Sequence, residues 1–329
     1  MKNKWMKRTL LVGAVGIVAG GILLGAGVAL GGSASFYYDK NGFHVKENTP
    51  EEENTAYVLE NTLTGKLKEI EVVLEDADLE IVSGDDWAVE YVLDGSDTEP
   101  VYEVKDGKLV LEEGGYAYDG EYMVSFGLGG AWWRQGDGQY QSPYVKITIP
   151  DGEKLDSVKI RNSYGRILID RDLLADSVTV DAQDGEVCME GWSGKELALN
   201  LEYASLETGD LDGDTVDITS EDGTVRIGTL KAETVQLRTQ YGELTADVDG
   251  ADRVDVESED GTVNLNLVGG MDQYGVNLYS EYGSIHTPQG RVEEDEYDGS
   301  SDFLHLADDQ KEASVIVYTQ YGDIRIREK

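Results

Sequence analysis

Gln240-Tyr241-Gly242-Glu243-Leu244 returns nineteen residues later as Glu259-Asp260-Gly261-Thr262-Val263-Asn264-Leu265. Both read as a tight turn followed by a strand in which apolar residues alternate with polar ones. Outward from this pair the motif recurs on both sides. Upstream stand Ser163-Tyr164-Gly165-Arg166-Ile167-Leu168-Ile169, Gln183-Asp184-Gly185-Glu186-Val187-Cys188-Met189, Glu202-Tyr203-Ala204-Ser205-Leu206 and Glu221-Asp222-Gly223-Thr224-Val225-Arg226-Ile227. Downstream stand Glu281-Tyr282-Gly283-Ser284-Ile285 and Gln320-Tyr321-Gly322-Asp323-Ile324-Arg325-Ile326. The turn residues are Gly165, Gly185, Ala204, Gly223, Gly242, Gly261, Gly283 and Gly322, at steps of 20, 19, 19, 19, 19, 22 and 39. The last step reads as two repeats with one motif blurred near Asp298-Gly299.

A period near twenty residues is the mark of a stacked repeat. The stretch before each turn alternates (Val216 and Ile218; Val235 and Leu237; Val254 and Val256), and so does the stretch after it (Val225 and Ile227; Val263, Leu265 and Leu267). Period two buries one face of a strand and wets the other. Glycine supplies positive φ in a turn at no steric cost. Asp-Gly between alternating strands also suits a hairpin. An antiparallel meander, however, gives no reason for a constant step, whereas a solenoid must bring each rung back above the last. The expectation is an all-β parallel β-solenoid. The residue before the Gly alternates Tyr and Asp, so the rung is either a single repeat of nineteen with alternating neighbours or a double repeat of thirty-eight.

Residues 56–150 are strand-like without a clean period, as in Ile70-Glu71-Val72-Val73-Leu74 and Val145-Lys146-Ile147-Thr148-Ile149. They read as an N-terminal β cap on the solenoid of residues 151–329, covering an edge that would otherwise be bare. The polar stretch 31–55, with Pro50-Glu51-Glu52-Glu53, reads as a juxtamembrane linker.

No charged residue occurs between Arg8 and Asp39, and Leu10 to Leu30 is long enough to span a bilayer as a helix. Lys2, Lys4, Lys7 and Arg8 precede it, which places residues 1–8 in the cytoplasm, 9–30 in the membrane and the bulk of the chain outside. A cleaved signal peptide is the alternative, with Gly32-Ser33-Ala34 as a small-residue cleavage site. The formal charge is −39, from 27 Lys and Arg against 66 Asp and Glu. Such a surface repels nucleic acid. The single cysteine, Cys188, excludes an intramolecular disulfide and a Cys-rich metal site.

The repeated Tyr/Asp-Gly-x-Ile/Val turn, Glu75-Asp76-Ala77-Asp78-Leu79-Glu80-Ile81 and Ile147-Thr148-Ile149-Pro150 together resemble a bacterial β-strand-repeat family of unknown function, whose members are described as adhesin candidates. The resemblance covers roughly residues 65–329. It implies a β-helical cell-surface or envelope protein without known enzymatic activity, and it carries no catalytic residues.

Candidate binding residues are the aromatics of the Gly-rich insert 114–142: Tyr116, Tyr118, Tyr122, Trp132 and Trp133. Exposed rings there could stack on sugars or grip peptides; the plain alternative is packing against the solenoid end. The tyrosines Tyr164, Tyr203, Tyr241, Tyr282 and Tyr321 form either a structural ladder or a ligand-facing strip. Asp210, Asp212 and Asp214, and again Asp247, Asp249 and Asp252, are clustered carboxylates, but they match neither an EF-hand loop nor a nonapeptide calcium repeat. Cys188, between inward Val187 and Met189, should point outward.

His44, His286 and His305 sit in no ligand or triad spacing, and no phosphate-binding loop occurs. No metal or cofactor is expected. A polysaccharide-active β-helix enzyme is the remote rival; Arg166, Arg226 and Arg325 near Glu186 and Asp323 are the residues it would use. The expected function is an anchored, non-catalytic surface module for a wall polymer, glycan or surface protein. A sensing component acting through a membrane partner is the alternative.

Overall fold

The computed structural model describes residues 35–39, 42–45, 56–94, 98–114, 124–127, 143–292, 302–306, 311 and 313–329. Among them no helix is long and apolar enough to cross a membrane, and the segment expected to do so, 9–30, lies outside them. Two compact units emerge: residues 1–55 with 116–140, and residues 56–115 with 141–329. In the first, Ser35–Asp39 pairs antiparallel with Gly42–Val45 and with Val124–Gly127. The stretch expected to be a plain linker therefore contributes two strands to a sheet completed by the insert.

The second unit is a parallel stack of two-stranded rungs. Val216 pairs with Val235, and Val235 with Val254, each one repeat further along the chain. Asp222, Tyr241 and Asp260 follow the same register. The rung is thus the single repeat and not the double one. Acidic neighbours are held two rungs apart, where like charges repel less than in adjacent strands.

The alternation does what period two demands. Val216, Val235, Val254, Val315 and Val276 form one inward column, all fully buried, and Val225, Leu244, Val263, Ile324 and Ile285 form another on the second strand. Each such side chain contributes about 1.5–3 kcal/mol by leaving water.

At the corner the glycines serve mainly close approach. A Cβ built on Gly322 would overlap the carbonyl oxygen of Gly261, and one on Gly283 that of Gly322; Gly242 and Gly261 are equally crowded by the turn of the preceding rung. Positive φ, the reason expected from sequence, holds only at Gly185, Gly223 and Gly242 among the seven turn glycines.

Chain order and stacking order part company at the C-terminal end. Arg253–Asp260 pairs with Ala313–Thr319, and Ala313–Thr319 pairs in turn with Tyr274–Ser280. The second strands repeat this, with Ile324 between Val263 and Ile285. The last rung in sequence is therefore inserted between the two rungs that precede it. The long step from Gly283 to Gly322 is this excursion and return, not a blurred repeat. Asp302–Leu306 then pairs antiparallel with Tyr274–Ser280, and Gly290–Arg291 with Ile285–Thr287.

At the other end, pairing runs through the boundary expected at 150/151. Glu69–Leu74 lies parallel to Leu155–Asn162, and Asp78–Gly84 to Ile167–Asp170, so residues 69–84 are themselves a rung. A further rung lies below it, from Lys108–Glu112 under Glu69–Leu74 and Tyr144–Pro150 under Asp78–Gly84. The 114–142 insert interrupts that rung at its turn. Capping falls to antiparallel strands: Val101–Lys105 on Lys108–Glu112, and Ala88–Leu93, backed by Tyr57–Leu63, on Tyr144–Pro150.

Candidate ligand-binding face

The outer side of the pre-turn strands, next to the corner, carries a cleft of about 540 Å³. Its walls are Thr219, Glu221, Arg238, Gln240, Glu257, Glu259, Tyr318 and Gln320, and between them run Ser220, Thr239 and Ser258, whose side chains face the core. A second cleft of about 490 Å³ adjoins it, lined by Arg161, Asp181, Gln183, Asn200 and Glu202, and shares Thr219 and Glu221 with the first. Recessed surface thus follows the stacking axis over successive rungs.

Register builds this surface. Ser220, Thr239, Ser258, Thr319 and Ser280 stand one above another. The residues after them therefore also stack, in the order Glu221, Gln240, Glu259, Gln320, Glu281. The next column runs Asp222, Tyr241, Asp260, Tyr321, Tyr282. From residue 221 onward, Glu221-Asp222 and Glu259-Asp260 alternate with Gln240-Tyr241 and Gln320-Tyr321, and the stack ends on Glu281-Tyr282; upstream the turns carry Gln183-Asp184 and Glu202-Tyr203.

Tyr164, Tyr203, Tyr241, Tyr282 and Tyr321 are all at least 47% exposed, so the tyrosine column faces solvent. Only its last two members stack, Tyr282 on Tyr321 at 5.1 Å and 12°, because the inserted rung brings them together. Tyr279 stacks on Tyr318 at 5.4 Å and 6° on the same two rungs. The Tyr318 hydroxyl lies 3.4 Å from the Glu281 carboxylate, which fixes the ring at the mouth of the cleft. The Glu281 carboxylate pushes the Tyr282 phenol above its ordinary value; for Tyr318 burial leads, with Glu281 next.

The one strong cation of the main cleft is already engaged. Arg238 bonds Asp217 at 3.2 Å and Gln236 at 3.0 Å, and approaches Glu257 at 3.8 Å. Glu221 and Glu259 are exposed and have no ion-pair partner among the described residues. Ser220, Thr239 and Ser258 continue the inward phase of Ile218, Leu237 and Val256, so their hydroxyls face the core; they are at most 7% exposed and lack a hydrogen-bond partner. In the end rungs the same position is satisfied: Thr319 donates to the Gly322 carbonyl at 2.7 Å, and Ser280 donates there at 3.0 Å. This spatial column was not legible, because its order depends on the inserted rung.

Of the insert aromatics expected to bind, Tyr116, Tyr118, Tyr122, Trp132 and Trp133 lie outside the described residues. Where the insert leaves the rung, Glu113 takes over a backbone task. Its carboxylate accepts hydrogen bonds from the backbone N–H groups of Glu75, Asp76 and Ala77 at 2.7, 3.1 and 3.2 Å. In other rungs such turn donors meet the carbonyls of a neighbouring turn. Burial pushes the Glu113 carboxyl above its ordinary value, against the pull of those three donors toward the anion.

The remaining candidates are accounted for locally. Asp210 is paired with Lys231 at 2.9 Å, and Asp247 with Lys329 and Asn266, so each cluster has a carboxylate already bound within the protein. Among the described residues no group of three or more metal-ligating side chains gathers. Cys188 points outward between buried Val187 and Met189, with the Arg166 guanidinium 3.5 Å from its sulfur. Arg166 pairs with Glu186 at 3.1 Å and Arg325 with Asp323 at 2.8 Å, as ordinary surface pairs.

Comparison with known proteins follows the same lines. A candidate adhesin from Bacteroides fragilis aligns over 84% of this chain and 98% of its own at 11% identity, with a TM-score of 0.41. A candidate adhesin from Parabacteroides distasonis aligns over 84% and 98% at 14% identity, with a TM-score of 0.43. A candidate cell adhesion protein from Clostridium sporogenes aligns over 84% and 100% at 14% identity, with a TM-score of 0.26. No curated protein matches the sequence. The profile of the Toastrack DUF4097 family matches residues 67–327, which span the stack from its first complete rungs almost to the C-terminus. The chain therefore belongs to the Toastrack DUF4097 family.

Proposed function

We propose that this protein is a non-catalytic surface-binding module that grips an extended polymeric partner, such as a wall polymer, a glycan or a surface protein, along the face beside its corner. The helix expected over 9–30 tethers it, with residues 1–8 in the cytoplasm and the solenoid outside. The observation that carries the reading is the run of recessed surface across successive rungs, edged by exposed tyrosines. Exposed rings, amides and carboxylates repeated at strand spacing suit a long ligand that makes the same contact many times.

The test is a binding screen of the full chain in lipid nanodiscs against purified wall polymers, glycans and whole cells at two salt concentrations. Saturable binding that is weakened by Tyr241→Ala with Tyr321→Ala supports the reading. Binding that survives those changes, or no binding to any surface, contradicts it.

A further inference from the structure

The inserted rung sets four tyrosines together at the C-terminal end of the corner. Tyr318 and Tyr321 belong to that rung, and Tyr279 and Tyr282 to the rung stacked on it. Their rings form two parallel pairs, Tyr279 on Tyr318 at 5.4 Å and Tyr282 on Tyr321 at 5.1 Å. Tyr318, Tyr321 and Tyr282 are 40%, 54% and 58% exposed, so the group opens to solvent. Tyr241, by contrast, stands between Asp222 and Asp260 and has no ring beside it in its column.

Glu281 lies among these rings. It is half-buried and has no ion-pair partner among the described residues. The side chains it meets are neutral phenols. The Tyr318 hydroxyl is 3.4 Å from its carboxylate, and its charge and hydrogen bond push the Tyr282 phenol above the ordinary value. The turn beneath offers Gln320, which is neutral too. The charge of Glu281 is therefore uncompensated, and it stands beside ring faces that are themselves negative. Carboxylate and ring faces both attract a cation, and the attraction grows as the cation sheds its water.

The phenols also select the kind of cation. They use lone pairs of Glu281 that an ammonium or guanidinium would need as acceptors. A primary ammonium has three donors and is strongly hydrated, and a guanidinium has five donors. A quaternary ammonium has no N–H and asks only for negative potential and aromatic surface.

We propose that Tyr279, Tyr282, Tyr318 and Tyr321, with Glu281 among them, form a binding site for a quaternary ammonium group of the choline type carried by the partner. This rests on the reading of the corner as a binding face and names the chemical group that its C-terminal end takes.

The probe is choline alone, titrated into the full chain in dodecyl maltoside micelles, which carry no ammonium group. Proton NMR follows the choline methyl line, which tyrosine ring currents should move upfield. Ethanolamine and methylguanidine are the comparison cations. The inference expects saturable choline binding about tenfold tighter than either of them. Tyr282→Leu keeps the bulk and removes the ring, and should weaken choline at least fivefold. Tyr282→Phe keeps the ring and should stay within about twofold of the wild type. Glu281→Gln should weaken choline at least fivefold. Circular dichroism should show the fold unchanged in all three variants. Equal binding of the three cations, choline binding that survives Tyr282→Leu or Glu281→Gln, equal losses in Tyr282→Phe and Tyr282→Leu, or no choline binding overturns the inference. If choline fails to bind while a wall polymer or glycan binds and is weakened by Tyr241→Ala with Tyr321→Ala, the quaternary ammonium site falls and the broader binding reading stands.

Discussion

The middle of the stack and its C-terminal end use the same motif under different rules of order. Between residues 215 and 267 each rung lies on the one that precedes it in the chain. At the end, residues 313–328 lie against residues 253–267 on one side and residues 274–287 on the other. The motif fixes where the chain turns and which side chains face inward. It does not fix which rung is whose neighbour, because that is decided by pairing across an excursion. The proposed binding face depends on the difference, since only the inserted order sets Gln320 between Glu259 and Glu281 and stacks Tyr321 on Tyr282.

The largest expected effect comes from crowding the inserted corner. Gly322→Ala places a methyl on the Gly261 carbonyl and should destabilise by about 3 kcal/mol. Gly152→Ala has open space around it and meets only the strain of φ +72°, about 1 kcal/mol. Thermal melts of both variants measure the contrast; equal shifts would mean that the turn glycines are not needed for close stacking.

Next, Val254→Ala in the middle and Val315→Ala in the inserted rung should each cost about 2 kcal/mol, because both side chains are fully buried. Denaturant unfolding checks this. A cost at Val315 far below that at Val254 would show the inserted rung to be loosely packed.

Glu113→Ala should cost about 2 kcal/mol by orphaning three backbone donors where the insert breaks the stack. Glu113→Gln keeps an acceptor but removes the titration. Burial raises the folded pKa above its reference value of 4.5, so this group's contribution is complete below that value and is lost as pH rises through the folded value. The wild type should therefore lose stability with rising pH in that window relative to Glu113→Gln, as pH-dependent melts would record. The opposite slope would mean that the three N–H donors outweigh burial.

The smallest effect is at Cys188. Maleimide should label it in the folded protein with little change in melting temperature, since the side chain is outward and partly exposed. Labelling only after unfolding would reverse the strand phase deduced for Val187-Cys188-Met189.

Much of this was legible in local periodicity. The alternation of Val216, Ile218, Val235 and Leu237 specifies two strands per rung, and the constant step between turns specifies parallel stacking. The reason for glycine was only half legible: φ leaves no trace in sequence, and Gly322 meets Gly261 across the whole of the rung between them in the chain. Residues 69–84 hid as a rung because their turn, Glu75-Asp76-Ala77, has Ala in place of Gly and their register partners lie beyond the insert. The cleft was not legible, since Thr219, Arg238 and Glu257 look like ordinary outward strand residues until the inserted rung sets Tyr318 beside Glu257. Glu113 gave no signal, because its partners depend on where the insert departs.

The rung order is the claim on which the proposed site depends, and engineered disulfides test it most directly. In a Cys188→Ser background, Glu257→Cys with Tyr318→Cys places thiols on adjacent strands in register, whereas Glu257→Cys with Tyr279→Cys places them two strands apart. The account predicts rapid oxidation of the first pair and none of the second in the folded protein. Cross-linking of the second pair and not the first would mean that rungs stack in chain order, and would remove the alternation on which the binding face is built.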